Sequence, residues 1–164
     1  VRRSHATLEE KIGQLLADKK LTLAVAESCT GGLVCHRITN VPGSSRYFEG
    51  GVVAYSYSAK ERLLHVRHHT LYEYGAVSEE TAREMAEGAR RVLGTDIGLS
   101  VTGIAGPSGG LPDKPVGLTY IALSARDASR CERYVWPHDR DGNKAASVDA
   151  ALQLLLEHLE GLGE

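Results

Sequence analysis

Leu21-Thr22-Leu23-Ala24-Val25-Ala26-Glu27-Ser28-Cys29-Thr30-Gly31-Gly32-Leu33-Val34-Cys35-His36-Arg37-Ile38 passes from a short apolar run through a small polar turn into an apolar-periodic run. The run Leu21 to Val25 predicts a buried strand, and Leu33, Val34 and Ile38 predict a helix after the glycine pair. Strand, turn and helix in that order are the repeating unit of α/β folds. The turn carries three candidate nucleophiles, Ser28, Cys29 and Thr30. A helix N-terminus has unpaired N–H groups and a partial positive charge, so such a turn suits an anion. The same residues can also do no more than cap the helix and relieve backbone strain.

Working outward, Thr7 and Glu10 have capping-box spacing ahead of a helix over 7–19 with Leu8, Ile12, Leu15 and Leu16 on one face. The helix after Gly32 stops before Asn40-Val41-Pro42-Gly43. Ser44 or Ser45 can cap a short helical turn, Gly50-Gly51 punctuates, and Val52 to Tyr57 predicts a strand. Ser58 then caps a helix carrying Lys60, while 61–74 is mixed. Ser78 with Glu79 and Glu80 marks another helix start, with Ala82, Met85, Ala86, Ala89 and Val92 on one face. Asp96 to Thr102 predicts a buried strand. Val116 to Leu123 and Arg130 to Trp136 predict two more, joined as a hairpin that makes the last strand antiparallel to its neighbour. A helix over 142–159 closes the chain. The order α-β-α-β-α-α-β-β-β-α predicts an α/β fold, a three-layer α/β/α sandwich with a mixed, mainly parallel five-stranded sheet. One domain over 1–164, with a core of about 8–159, is expected.

The composition narrows function by exclusion. The 164 residues carry 19 Lys+Arg against 21 Asp+Glu, a net charge of −2 that recommends no nucleic-acid partner. No apolar run approaches the ~20 residues of a membrane span, and no signal-peptide pattern opens the sequence. Three cysteines, Cys29, Cys35 and Cys131, form no Cys-x-x-Cys pair, so a reducing cytoplasm is the expected setting. His65, His68 and His69 lack partners at ligand spacing, and no metal or other cofactor is expected.

Ligands of open α/β sheets bind beyond the C-terminal ends of parallel strands. The turn over 27–32, the segment 55–60 and the loop Gly103-Ile104-Ala105-Gly106-Pro107-Ser108-Gly109-Gly110 should therefore converge. That loop fits neither a P-loop nor a dinucleotide fingerprint; its glycines favour a backbone that approaches a ligand closely. Cys29 could be activated at a helix N-terminus, yet no histidine stands nearby in a recognisable arrangement. A lysine can serve as base for a serine when desolvation lowers its pKa. Tyr55, Lys60 and the serines at 44 and 45 are close in sequence. Spacing alone favours a surface lysine and core tyrosines over a catalytic set.

Ala26-Glu27-Ser28-Cys29-Thr30-Gly31-Gly32, Pro42-Gly43-Ser44-Ser45, Val53-Ala54-Tyr55-Ser56 with Lys60, Tyr74-Gly75-Ala76-Val77-Ser78-Glu79 and Gly103-Ile104-Ala105-Gly106-Pro107 together resemble the CinA C-terminal domain family. Its members include stand-alone nicotinamide-nucleotide amidases of the PncC type. The resemblance runs from about Leu8 to Leu159. It implies a three-layer fold, no metal, and hydrolysis of nicotinamide mononucleotide to nicotinate mononucleotide and ammonia. It also implies a small-molecule nucleotide as the partner, and homo-oligomers are common in the family. In longer members an N-terminal molybdopterin-binding-like domain precedes this one, for which the sequence as given has no room.

By position, the resemblance puts the family's serine–tyrosine–lysine set on Ser45, Tyr55 and Lys60, with Ser28 as the fallback nucleophile. It implies substrate contacts from Thr30, Gly31 and Gly32, from Gly43 and Ser44, and from Gly103, Ala105, Gly106, Gly109 and Gly110. Glu27 would orient polar groups, and Arg140 could hold a phosphate through its guanidinium fork. His138 and Asn143-Lys144 depart from the family pattern around Asp139, which weakens the expectation of phosphate contacts from the last helix. The alternative from another class is a non-catalytic nucleotide-binding or regulatory module of the competence/damage-inducible type.

Overall fold

The structure, a computed structural model, describes residues 5–163, so the outermost residues of the expected 1–164 domain lie outside it. Its elements in chain order are α1 (Leu8–Lys19), β1 (Leu23–Glu27), α2 (Leu33–Thr39), a 3-10 turn (Ser44–Arg46), β2 (Phe48–Val53), α3 (Tyr57–Leu64), α4 (His68–Tyr74), α5 (Glu79–Leu93), β3 (Ile97–Gly103), β4 (Leu118–Ala125), β5 (Ala128–Val135) and α6 (Arg140–Gly161). The strands form one sheet in the order β2-β1-β3-β4-β5. β1 pairs in parallel with β2 and β3, while β4 runs antiparallel to both β3 and β5. The mixed five-stranded sheet follows the expectation. β4 is its one reversed strand: residues 104–117 connect it to β3 without a crossover helix, and a parallel neighbour needs a crossover.

Alternation along β1 sorts the layers. Leu23 and Val25 pack with Ile12, Leu16, Val34 and Leu155 from α1, α2 and α6 on one face. Ala24 and Ala26 meet Leu64, Met85 and Ala89 from α3 and α5 on the other. All five residues of β1 are buried, as suits a central strand covered on both faces.

Several expected boundaries moved: β4 and β5 meet in a tighter hairpin than the expected 116–123 and 130–136, and the first two strands shift as well. The first strand starts at Leu23 because Lys20 takes a left-handed conformation (φ 55°) and the amide of Leu21 still bonds Leu16 O, so residues 20–22 close α1. The second strand is Phe48–Val53, not Val52–Tyr57. Gly50 and Gly51 lie inside it, because α2 crosses so close that a Cβ on Gly51 would overlap Cys35 Sγ. Tyr55 consequently sits in a loop, and Ser56, not Ser58, caps α3 by accepting the amide of Ala59 at 3.0 Å.

Helix α3 is held against α5 by another bare backbone. A Cβ on Gly88 would overlap the carbonyl of Leu64, one turn beyond Lys60. We expect Gly88→Ala to destabilise the fold by about 1–3 kcal/mol through overpacking. The urea midpoint should drop at unchanged m-value; an unchanged midpoint would show that α3 can slide freely on α5.

Candidate active site

Glu27 is the last residue of β1 and shares the face of Leu23 and Val25, which turns its side chain under α2. Its Oε1 accepts from Thr30 Oγ1 (2.6 Å) and from the amides of Gly32 (3.1 Å) and Val34 (2.9 Å). Its Oε2 accepts from the amide of Cys35 at 3.0 Å. A carboxylate with no exposure thus occupies the N-terminus of α2, satisfying donors that the first helical turn leaves open. The Thr30 hydroxyl and the Gly32 amide, expected to face a substrate, are thus spent on the chain's own carboxylate. The anion they were to cradle is already there, supplied by the chain itself. Gly31 and Gly32 have φ of 62° and 108°, which the tight turn requires.

Ser28 is the next residue, and the alternation sends it the other way, toward α3. Its amide donates to Val101 O at 3.1 Å, extending the sheet by one bond. Lys60 reaches it from α3: Nζ lies 2.9 Å from Ser28 Oγ, 2.9 Å from Ala54 O and 3.4 Å from Tyr55 O. Lys60 is 1% exposed, and no ion pair includes it among the described residues. Burial therefore pushes its ammonium down to about 8, since nothing negative nearby repays the lost hydration. A lysine so placed is partly neutral near physiological pH and can take a proton from the hydroxyl it touches.

The Cys29 thiol is pushed up to about 11 by burial. At that value it holds its proton, and the buried thiol is a poor nucleophile. The backbone N–H groups of Cys29 and Thr30 donate to no acceptor among the described residues. Both follow Ser28 directly in the chain.

A cavity of about 260 Å³ opens onto this pair, its walls including Tyr55, Tyr57, Val77, Thr102 and the loop from Gly103 to Gly109. Tyr57 belongs to the segment 55–60 expected to converge here, whereas Thr102 and Val77 were not among the expected site residues, although Thr102 sits at the C-terminal end of β3 where ligand-facing residues gather. Its hydroxyl donates to Ala76 O at 2.7 Å and so fixes the far wall. The glycines of the loop serve packing as much as ligand access. A Cβ on Gly103 would come within 2.7 Å of Thr119 Oγ1, and one on Gly106 would overlap Val116. The amides of Ala105, Gly106, Ser108 and Gly109 nonetheless have no acceptor among the described residues. Gly109 joins the cavity wall, whereas Gly110 does not.

Arg140 and Asn143 of α6 hold the loop. Arg140 donates to Gly106 O (2.7 Å) and Tyr55 Oη (3.2 Å), and Asn143 donates to Ala105 O at 3.0 Å. Tyr55 is therefore a rim residue, 63% exposed, whose hydroxyl meets Arg140 and not Lys60. Beyond Arg140 a second hollow, lined by Pro107, Val116, His138 and Asp141 among others, continues from the first.

Ser45, with Gly43 and Ser44, is not in this assembly. These residues form the turn that leads into β2, and the carbonyl of Tyr47 accepts the amide of Leu23 at the start of β1. The whole of β2, six residues and roughly 17 Å of extended chain, separates them from Tyr55 and Lys60. The expected grouping of Ser45 with Tyr55 and Lys60 is thus corrected: parallel strands carry Ser28, not Ser45, to the end of the sheet where Lys60 waits. No group of His, Cys, Asp and Glu able to hold a metal occurs among the described residues.

The model of the CinA C-terminal domain matches residues 5–159. The chain belongs to the CinA family. It is 51% identical over 154 residues to a Desulforamulus reducens protein named provisionally as competence-damage inducible, covering 94% of this chain and 37% of that one. It is 49% identical over 152 residues to the CinA-like protein of Citrifermentans bemidjiense, covering 93% of this chain and 37% of the relative. The chain thus spans well under half the length of these relatives. Among solved structures, the competence damage-inducible protein A of Klebsiella pneumoniae superposes with a TM-score of 0.92 at 33% identity, over 95% of this chain and 97% of its own. The competence/damage inducible protein CihA of Agrobacterium tumefaciens gives 0.88 at 35% identity, over 98% and 99%.

Because the Glu27 carboxylate answers four donors, Glu27→Gln turns an NH2 toward at least one N–H. A loss of about 2–4 kcal/mol is expected, with faster hydrogen exchange at Gly32, Val34 and Cys35. Unchanged exchange at those amides would remove the carboxylate from the role given to it.

Proposed function

We propose that this CinA-family chain is an amidase that hydrolyses the carboxamide of nicotinamide mononucleotide, with Ser28 as nucleophile and Lys60 as its base. The observation that carries the reading is the Lys60 Nζ–Ser28 Oγ contact of 2.9 Å in a buried setting. A site built only to bind would bury a lysine at a cost and gain nothing from its lowered pKa. The choice of carboxamide rests on the family resemblance.

Neutral Lys60 takes the proton of Ser28 Oγ as the oxygen attacks the amide carbon. The amides of Cys29 and Thr30 stabilise the oxyanion, each such donor being worth about 3 kcal/mol. Lys60 returns its proton to the nitrogen, the C–N bond breaks, and ammonia leaves an ester on Ser28. Water, losing a proton to Lys60, then attacks the ester, and the carboxylate product departs from a regenerated hydroxyl. Tyr55 and Arg140 close the rim, and the loop over 103–109 offers its free amides to the rest of the substrate.

Ammonia release from nicotinamide mononucleotide should fall roughly a thousandfold in Ser28→Ala and Lys60→Met, while Ser45→Ala stays near wild type. A wild type that binds the nucleotide but releases no ammonia favours the non-catalytic module instead. An inactive Ser45→Ala with active Ser28→Ala would overturn the assignment of the nucleophile.

The pH profile supplies an independent check. The competent lysine is the deprotonated one, and its value lies near 8, so kcat/KM should climb with pH through that region and level above it. A profile flat from pH 6 to 9 would exclude Lys60 as the base.

A further inference from the structure

Arg83, Glu87 and Arg90 follow one another at i, i+4 and i+7 on α5, so they share the side of the helix that faces the β4–β5 hairpin. There Ser124 and Ser129 stand directly opposite each other, which puts their side chains roughly 5 Å apart on one face of the ladder. Each serine holds an arginine: Arg90 Nε donates to Ser124 Oγ at 3.1 Å, and Arg83 Nη1 donates to Ser129 Oγ at 2.6 Å. Both hydroxyls act as acceptors toward α5, and neither O–H finds an acceptor of its own among the described residues. Ser124 is only 7% exposed, and a buried donor left open is rare. Arg90 keeps both Nη groups free, and Arg126, in the two-residue turn between β4 and β5, makes no hydrogen bond or ion pair among the described residues. Glu87 is engaged by Arg91 at 2.7 Å, and Asp127 lies exposed on the turn. These groups line one hollow of about 620 Å³.

We propose that this hollow is a second ligand site, which binds the phosphate group of a small molecule away from the reaction centre. Its open groups donate from two sides, serine O–H from the hairpin and guanidinium N–H from α5, and a tetrahedral oxyanion accepts from several directions at once. A phosphate carries close to two charges at neutral pH, which matches the two arginines, Arg90 and Arg126, that lack a carboxylate partner among the described residues. The chain's net charge of −2 and the concave shape fit a single small anion and not a polyanion. The place is separate from the catalytic cavity. Ser124 pairs with Gly98 at the start of β3, whereas the cavity beside Ser28 opens at Thr102 and Gly103, at that strand's other end. The site is independent of the amidase reading.

Amide proton–nitrogen spectra of the labelled full chain locate the binding directly. Inorganic phosphate, ribose 5-phosphate and ribose are titrated at constant ionic strength into the wild type, Arg90→Met, Arg90→Lys and Ser124→Ala, with thermal unfolding confirming that each variant is folded. In the wild type, phosphate and ribose 5-phosphate should give saturable shifts at the amides of 124–129, and ribose none. Arg90→Met should weaken binding there by about tenfold or more. Ser124→Ala should weaken it less, and Arg90→Lys, which keeps the charge without the fork, should fall between wild type and Arg90→Met. Shifts in the loop over 103–109 report the catalytic cavity and should be alike in all four proteins. Tighter binding of ribose 5-phosphate than of phosphate identifies a phosphorylated metabolite as the occupant, equal constants identify free phosphate, and both uphold the site. Shifts over 124–129 that are absent, that fail to saturate, or that persist unchanged in Arg90→Met overturn it.

Discussion

A single buried carboxylate organises the end of the sheet on which everything else depends. An ionised group without exposure costs several kcal/mol unless its lone pairs are filled. Glu27 meets that condition by accepting from one hydroxyl and three amides of the residues that follow it. The turn from Ser28 to Gly32 is therefore shaped by an internal demand. Because Glu27 points to α2, the residue after it points to α3. The position of Ser28 follows from the pleat of the strand and from where its neighbour's charge is spent.

Lys60 is the opposite case, a buried cation left without a counter-charge. Its three acceptors are a hydroxyl and two carbonyls, enough to hold the ammonium in place and too little to repay its hydration. Folding bears that cost, and the helix carrying the lysine is locked by close backbone contact with α5 at Gly88. The value of about 8 is what the proposed reaction needs, a lysine partly neutral near physiological pH. A carboxylate beside Lys60 would have stabilised the fold and spoiled the base.

The layered α/β fold could be read from the sequence, because apolar period and capping chemistry are local. Thr7 with Glu10 and Ser78 ahead of Glu79 formed as their residues predicted, and the first strand formed two residues further on than its apolar run suggested. Strand boundaries failed where a glycine served packing and not punctuation, as at Gly51 under Cys35. The site was legible as a set of loops and not as a set of partners. Ser28 and Lys60 are neighbours only because β1 and β2 are parallel and adjacent, a fact no spacing encodes. Ser45 drew attention by its nearness in sequence to Tyr55 and Lys60. The intervening strand turns that nearness into distance.

The last helix shows why a glycine-rich loop is weak evidence by itself. Gly103 and Gly106 are small because Thr119, Leu118 and Val116 press on them, and packing alone would account for them. What makes the loop part of a site is α6, whose Arg140 and Asn143 seize two of its carbonyls and leave its amides unspent. A carbonyl pulled toward the helix turns the adjoining N–H groups to other work. The residues that do this sit far along the chain and bracket Gly142, whose amide is itself held by the capping Asp139. Asn143 is buried and committed to the loop through Ala105 O.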